Sequence, residues 1–320
     1  MNRRAVPAAL AFSALLAGGV SLASARPEAP PKAQPAAPAA PAADTAYLQE
    51  IEALRKDRNE GLKQEDGWFA LVGLFWLEPG ENRFGSGPDN RVILPEGKAP
   101  AFAGTLIREG DAVKVRVAPG VTVTSDGQPV TEAAVTSDAQ GKPTVLELGS
   151  LSFFVIQRGD KVGVRVKDSK SQALAAFHGL DFYPIRPDWK VDARFEPYNP
   201  PKTVPVPNVL GQVSEIPSPG AVVFDWQGKT YRLDALQGSE DGGLSLIFAD
   251  QTNGKETYGA GRFLDTTPPK DGRVVVDFNT AYNPPCAFTS FATCPLPPAQ
   301  NRLALAVTAG EKKYAGGPEH

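Results

Sequence analysis

Residues 144–168 read TVLELGSLSFFVIQRGDKVGVRVKD. Three short runs stand out: Thr144 to Leu148, Ser152 to Gln157 and Val162 to Val166, with Gly159-Asp160 between the last two. Runs of this length, rich in β-branched and aromatic residues and cut by turn-forming pairs, predict neighbouring β-strands. The same texture extends upstream through Arg91 to Leu94, Ala112 to Val117 and Val121 to Thr124. Gly87-Pro88-Asp89-Asn90, Pro119-Gly120 and Asp126-Gly127 divide them. Many short strands at regular spacing predict a sandwich or barrel over residues 67–170.

Downstream, residues 171–212 are Pro-rich and poorly periodic, which predicts a connecting wrap. A second β unit is expected over 213–314, a small barrel or jelly-roll-like body. Its strands are Ala221 to Asp225, Thr230 to Leu233, Leu244 to Phe248, Thr257 to Leu264 and Arg273 to Phe278, with a last one at Arg302 to Thr308. Residues 315–320 read as an unstructured tail. Upstream of the sandwich, Tyr47, Ile51, Leu54 and Leu62 recur at helical spacing, which predicts one N-terminal helix over 44–66.

The chain begins with Arg3-Arg4, an apolar run from Ala5 to Val20, and Ala23-Ser24-Ala25. That is the pattern of a secretory signal peptide over 1–25, so a periplasmic or secreted protein is expected. Residues 26–43, all but free of apolar bulk, form a Pro/Ala tether. The whole chain carries a formal charge of −3, and cleavage would remove two arginines and no acid. This acidic balance argues against nucleic acid as a partner, and no later segment is long and apolar enough to span a membrane. Cys286 and Cys294, after an export signal, are expected to form a disulfide. Closing that short loop is worth about 2.6 kcal/mol on the chain-entropy relation.

Gly80 to Ser86, Asp89-Asn90 before Ile93-Leu94, and Val145 to Phe154 together resemble a forkhead-associated (FHA) domain, a phosphothreonine-reading β-sandwich. Ser86 stands where that family has its phosphate-binding arginine, Ala101 to Thr105 lacks its Ser-x-x-His, and Asp126-Gly127 replaces its Asn-Gly. The resemblance therefore implies the fold and argues against phosphopeptide binding. Gly73 to Leu77, Gly163 to Asp168, Arg194 to Tyr198, Asn253 to Leu264 and Asp277 to Phe288 resemble the uncharacterised bacterial domain-of-unknown-function family 1684. That resemblance implies no activity.

The densest polar cluster is in the second unit. Asp250 to Gly254 reads as a hairpin turn, and Glu256, Tyr258 and Arg262 then alternate onto one strand face beside Gly259 and Gly261. Asp277 and Asn279 share a face of the next strand, and Asn283 opens the cysteine loop. These six residues are the candidate ligand-binding set. The competing reading is structural: Arg262 pairs with Glu256 or Asp277, and Asn279 caps a loop. Nucleophilic catalysis would rest on His178 alone, and neither a metal site nor a cofactor is expected. Trp68 and Trp76 read as buried, whereas Trp189 and Trp226 lie nearer turns, where they could stack on sugars. The expected function is non-catalytic binding of a small molecule or envelope component. The alternatives are a hydrolase using Glu256 or Asp277, and an envelope scaffold.

Overall fold

The computed structural model describes residues 45–318 apart from residue 239. The expected leader (1–25) and tether (26–43) lie outside the described residues.

The protein is mostly β, with one long helix at its N-terminal side. The first unit stacks two sheets. One has six strands in the order Leu71–Trp76, Lys161–Asp168, Leu151–Arg158, Leu146–Leu148, Val123–Ser125 and Gln128–Val130. The other has five, in the order Val92–Ile93, Gly80–Gly85, Gly104–Glu109, Ala112–Val117 and Glu132–Val135. Leu151, Phe153 and Val155 point inward at period two and meet Phe84, Leu106, Val113 and Val115 of the facing sheet in one apolar core. Asp126 (φ 48°) and Gly127 (φ 73°) make the two-residue turn between Val123–Ser125 and Gln128–Val130. Two positive φ values match the twist of the paired strands.

The second unit is a six-stranded antiparallel sheet, in the order Arg262–Thr266, Leu244–Phe248, Lys229–Gln237, Val213–Trp226, Lys190–Pro207 and Arg273–Asp277. It curls into a half-barrel around Val222, Phe224, Leu233, Leu246, Phe248 and Phe278. The Pro-rich stretch expected to wrap between the units is in fact half strand, Lys190–Pro207. Its prolines are tolerated because Arg273–Asp277 pairs only with Lys190 to Arg194. Beyond Arg194 the strand is an edge, where a missing N–H breaks no ladder.

Residues 302–309 differ from expectation in the opposite sense. Leu303, Leu305, Val307 and Ala309 alternate into the half-barrel core as a strand would. The segment nevertheless joins no sheet. It is held by loop bonds such as Leu303 N–H to Ala249 O (2.8 Å) and Gln251 N–H to Leu305 O (2.9 Å).

The helix runs Thr45–Leu62 and buries Ile51 and Leu62. Leu54, expected on the packed face, is 48% exposed. Polar contacts set the helix's rotation instead: Tyr47 Oη donates to Asp277 (2.8 Å), Arg55 Nη2 to Tyr183 O (3.0 Å) and Arg58 Nε to Glu311 (2.8 Å). The ordered packing reaches the residue just before the expected tail (315–320). Tyr314 packs edge-on to Phe69 and Phe288.

Candidate functional site

The candidate set depends on the loop from Asp250 to Gly261, which the alternating pattern predicts as hairpin and strand. It is a compact loop, and the strand starts only at Arg262. Short polar side chains divert its backbone from a ladder. Asp250 Oδ1 accepts from Thr252 N–H (2.8 Å) and Oγ1 (2.6 Å), the Thr252 and Thr257 hydroxyls meet at 2.7 Å, and Asn253 Nδ2 donates to Tyr258 O (2.6 Å).

Arg262 anchors this loop from beneath. It is fully buried, and its Nη2 reaches Asp250 Oδ2 at 2.9 Å. The guanidinium also donates to the carbonyls of Val307 (2.9 Å), Ala309 (2.5 Å) and Glu311 (3.3 Å). Its ion-pair partner is thus Asp250, and neither Glu256 nor Asp277. Gly261 (φ 101°) lets the chain pass this point, since a Cβ there would meet Pro297 Cγ at 2.5 Å and Phe248 O at 2.6 Å. Gly259 is different: a Cβ there finds nothing closer than Gly254 Cα at 3.8 Å, so it borders open space.

The six candidate residues divide among three places. Tyr258 lines a groove. Glu256 is exposed in the same loop, with its carbonyl accepting Lys313 N–H (2.9 Å). Asp277 and Asn279 hold the helix. Asp277 accepts from Tyr47, and Asn279 Nδ2 donates to Tyr47 Oη (2.9 Å) and Arg186 O (2.8 Å). Burial, then Asp277, raises the Tyr47 hydroxyl well above its ordinary range. Asn283 is fully buried, with its N–H on Glu311 Oε2 (2.8 Å) and its amide on Lys312 O (2.7 Å). Burial raises Glu311 above the usual carboxyl range even though Arg58 opposes it. His178 is exposed.

The groove has a volume of about 830 Å³ and runs between the two units. Leu74 and Trp76 of the strand Leu71–Trp76 form one wall. Val209 and Leu210, from the turn between Lys190–Pro207 and Val213–Trp226, form another. Tyr258, Gly259 and Ala260 form the floor, and Cys286, Thr289 and Phe291 close the far side, with Lys313 at the rim. A cleft of about 680 Å³ lies across residues 289–291 and Pro318, which line both cavities. Burial, with the two cysteines nearby, raises the Tyr258 hydroxyl above its ordinary range.

Trp76, read from sequence as buried, is a half-buried groove wall, and Trp68, read the same way, is half-buried beside the second cleft. Trp189, read as nearer the surface, is buried and stacked on Trp226 at 3.9 Å. The signal for Trp76 was in the strand itself: Leu71 to Trp76 is apolar on both faces, and such a strand needs cover on both.

Cys286 and Cys294 are buried thiols set against each other. Cys286 N–H donates to Cys294 Sγ (3.1 Å), and Cys294 N–H to Cys286 Sγ (3.3 Å). Among the described residues no cluster of metal-ligating side chains occurs.

No curated protein matches the chain. Among solved structures, an uncharacterised protein of Haloarcula marismortui is similar at 32% identity, over 43% of this chain and 78% of that one, with a TM-score of 0.37. The FhaA FHA domain, solved in complex with an intracellular domain, is similar at 17% identity over 29% of this chain and 97% of its own, with a TM-score of 0.22. An FHA domain from a study of phosphothreonine-dependent FHA interactions is similar at 19% identity over 28% and 91%, also at 0.22. The model of the family described as "Protein of unknown function (DUF1684)" matches residues 175–312. That range takes in the blocks Arg194 to Tyr198, Asn253 to Leu264 and Asp277 to Phe288, and leaves out those of the first unit. Over residues 175–312, which hold the half-barrel, the chain belongs to the DUF1684 family.

Proposed function

We propose that this is an exported, non-catalytic binding protein whose ligand is a largely apolar small molecule of the cell envelope, held in the groove between the two units. The observation that carries the reading is the groove's lining. Leu74, Trp76, Leu210, Ala260 and Phe291 offer apolar walls, with Tyr258, Thr289 and Lys313 as sparse polar points. Binding cavities commonly combine apolar walls with a few placed polar groups, and this volume is in the range that takes a small molecule. The leader over 1–25 delivers the protein to the periplasm or beyond, where Cys286 and Cys294 close their short loop. The hydrolase alternative gains nothing from the geometry, because neither Glu256 nor Asp277 lines the groove.

Titration with the apolar fluorophore anilinonaphthalene sulfonate tests the reading. We expect saturable one-site binding that quenches Trp76 and is lost in Ala260→Trp, which fills the floor. Unchanged binding in that variant would contradict the assignment.

A further inference from the structure

We infer that Cys286 and Cys294 form an exchange-active dithiol–disulfide pair, with Cys286 as the sulfur that reacts with an external disulfide and Arg165 as the residue that stabilises its thiolate. Cys286 lines the groove, so a reagent entering there meets it first; Cys294 does not line it. The reciprocal N–H to sulfur bonds hold both sulfurs inward and give each an amide donor. Backbone donors and a nearby cation favour a thiolate.

The cation is Arg165, on the strand Lys161–Asp168. It is 7% exposed, its Nη2 donates to Thr293 Oγ1 (3.1 Å), and its guanidinium lies over the Trp68 ring at 5.5 Å. Among the described residues it makes no ion pair with a carboxylate, and its buried Nε has no hydrogen-bond partner. Asp138 is engaged by Arg158 instead, at 2.8 Å. The Asp138 charge reaches Arg165 only through space and is shared with Arg158, so the buried guanidinium is under-compensated, and a thiolate nearby adds a counter-charge. Hydrogen bonding from Cys294 holds the Cys286 thiol below its ordinary value against burial, and Arg165 adds to this. The other charged or titratable groups around the pair are Arg158, whose Nε also donates to Thr293 Oγ1 (3.2 Å), its partner Asp138, and Tyr258, whose hydroxyl burial keeps protonated. Lys313 lines the same groove. Oxidation to the disulfide removes the thiolate and leaves Arg165 with only the Asp138 charge that it shares with Arg158. The reduced form is thereby stabilised, which makes the disulfide the readily exchanged kind rather than an inert staple.

The step balances as thiol–disulfide exchange. The Cys286 thiolate attacks one sulfur of an external disulfide RSSR, forms a Cys286–S–S–R bond and expels RS⁻. Cys294 then attacks Cys286 Sγ, expels a second RS⁻ and closes the Cys286–Cys294 bond. The pair loses two electrons and two protons, and RSSR becomes two RSH. The groove serves here only as the entry path, so the proposal is independent of which ligand fills it.

The test uses folded, reduced protein and oxidised glutathione. Cys294→Ser should accumulate one glutathione adduct, mapped to Cys286 by mass spectrometry. Wild type should instead release two glutathiones per chain and end as the internal disulfide. Cys286→Ser, which leaves only Cys294, should react at least tenfold more slowly. In Cys294→Ser the pH midpoint of Cys286 alkylation should fall below the ordinary thiol value of about 8.5. Adding Arg165→Met should raise that midpoint, and Arg165→Lys should retain it. Should Arg165→Met fail to fold, the midpoint of Cys294→Ser and its retention in Arg165→Lys decide the matter. No adduct until the chain is denatured, equal reactivity of the two cysteines, or a midpoint at the ordinary value would overturn the proposal.

Discussion

The sandwich and the half-barrel have comparable apolar cores but keep their loops in place by different means. In the sandwich, turns are short, and burial alternates along strands such as Leu151–Arg158 and Ala112–Val117. In the half-barrel, the segments 250–261 and 302–311 belong to no sheet and are fastened by buried polar side chains. Arg262 spans Asp250, Val307 and Ala309. Asn301 receives Asp234 N–H (2.8 Å) and donates to Asp234 O (2.9 Å) and Ile247 O (3.0 Å). The contrast teaches that the first unit is specified by periodicity and the second by a few long-range polar contacts. Its groove-facing loop is therefore only as stable as those contacts.

The largest effect should come from Arg262→Ala. It leaves Asp250 charged and buried, a loss of about 3–5 kcal/mol by urea denaturation. Adding Asp250→Ala should recover part of that, because no stranded charge remains. A loss below about 1 kcal/mol, or a double variant worse than the sum of its parts, would break the contrast between the units.

A sharper comparison sets Asn301→Leu against Leu106→Met. Both residues are almost wholly buried, one in each unit. Asn301→Leu strands the Asp234 N–H and two carbonyls, at about 1–3 kcal/mol or more. Leu106→Met conserves volume among apolar neighbours and should cost less than about 1.5 kcal/mol. Equal losses would mean that the sandwich depends on specific packing as strongly as the half-barrel depends on its polar contacts.

The smallest effect concerns pH, at Asp168 on the edge of the second cleft. Burial pushes its carboxyl up, but the Lys170 N–H (2.9 Å), Ser150 and Lys98 (3.4 Å) outweigh this and hold it below the usual range. A depressed carboxyl stabilises the fold above its unfolded value of about 3.9, and that contribution fades as pH falls through the folded value. Asp168→Asn should flatten the acid limb of the stability profile below about pH 4, by under about 1 kcal/mol. An acid limb identical to wild type would show that the carboxylate contributes nothing.

These differences also explain what could be read from the chain. Ala112–Val117 and Leu244–Phe248 fall where their short apolar runs predict them. Lys190–Pro207 was hidden by its prolines, whose tolerance depends on where a partner strand in another part of the chain ends. Residues 302–309 alternate like a strand yet bond to loops, because their partners are side chains far away in sequence. The same cause scattered the candidate site. Glu256, Tyr258 and Arg262 have period two, but Asp250, Thr252 and Asn253 turn the backbone before any strand can form. Tyr258 and Gly259, singled out by the sequence, do line the groove. Trp76 carried a signal only in the two-faced apolarity of its strand, and Phe291 carried none, because the groove exists only where the two units meet.

The central claim is that this groove holds a small apolar ligand. Native mass spectrometry of the protein purified from its own host tests it most directly. The account predicts wild type carrying the mass of one co-purified small molecule, with Ala260→Trp running at its bare mass and an unchanged melting temperature. Wild type at bare mass, or an equal excess mass in Ala260→Trp, would contradict it.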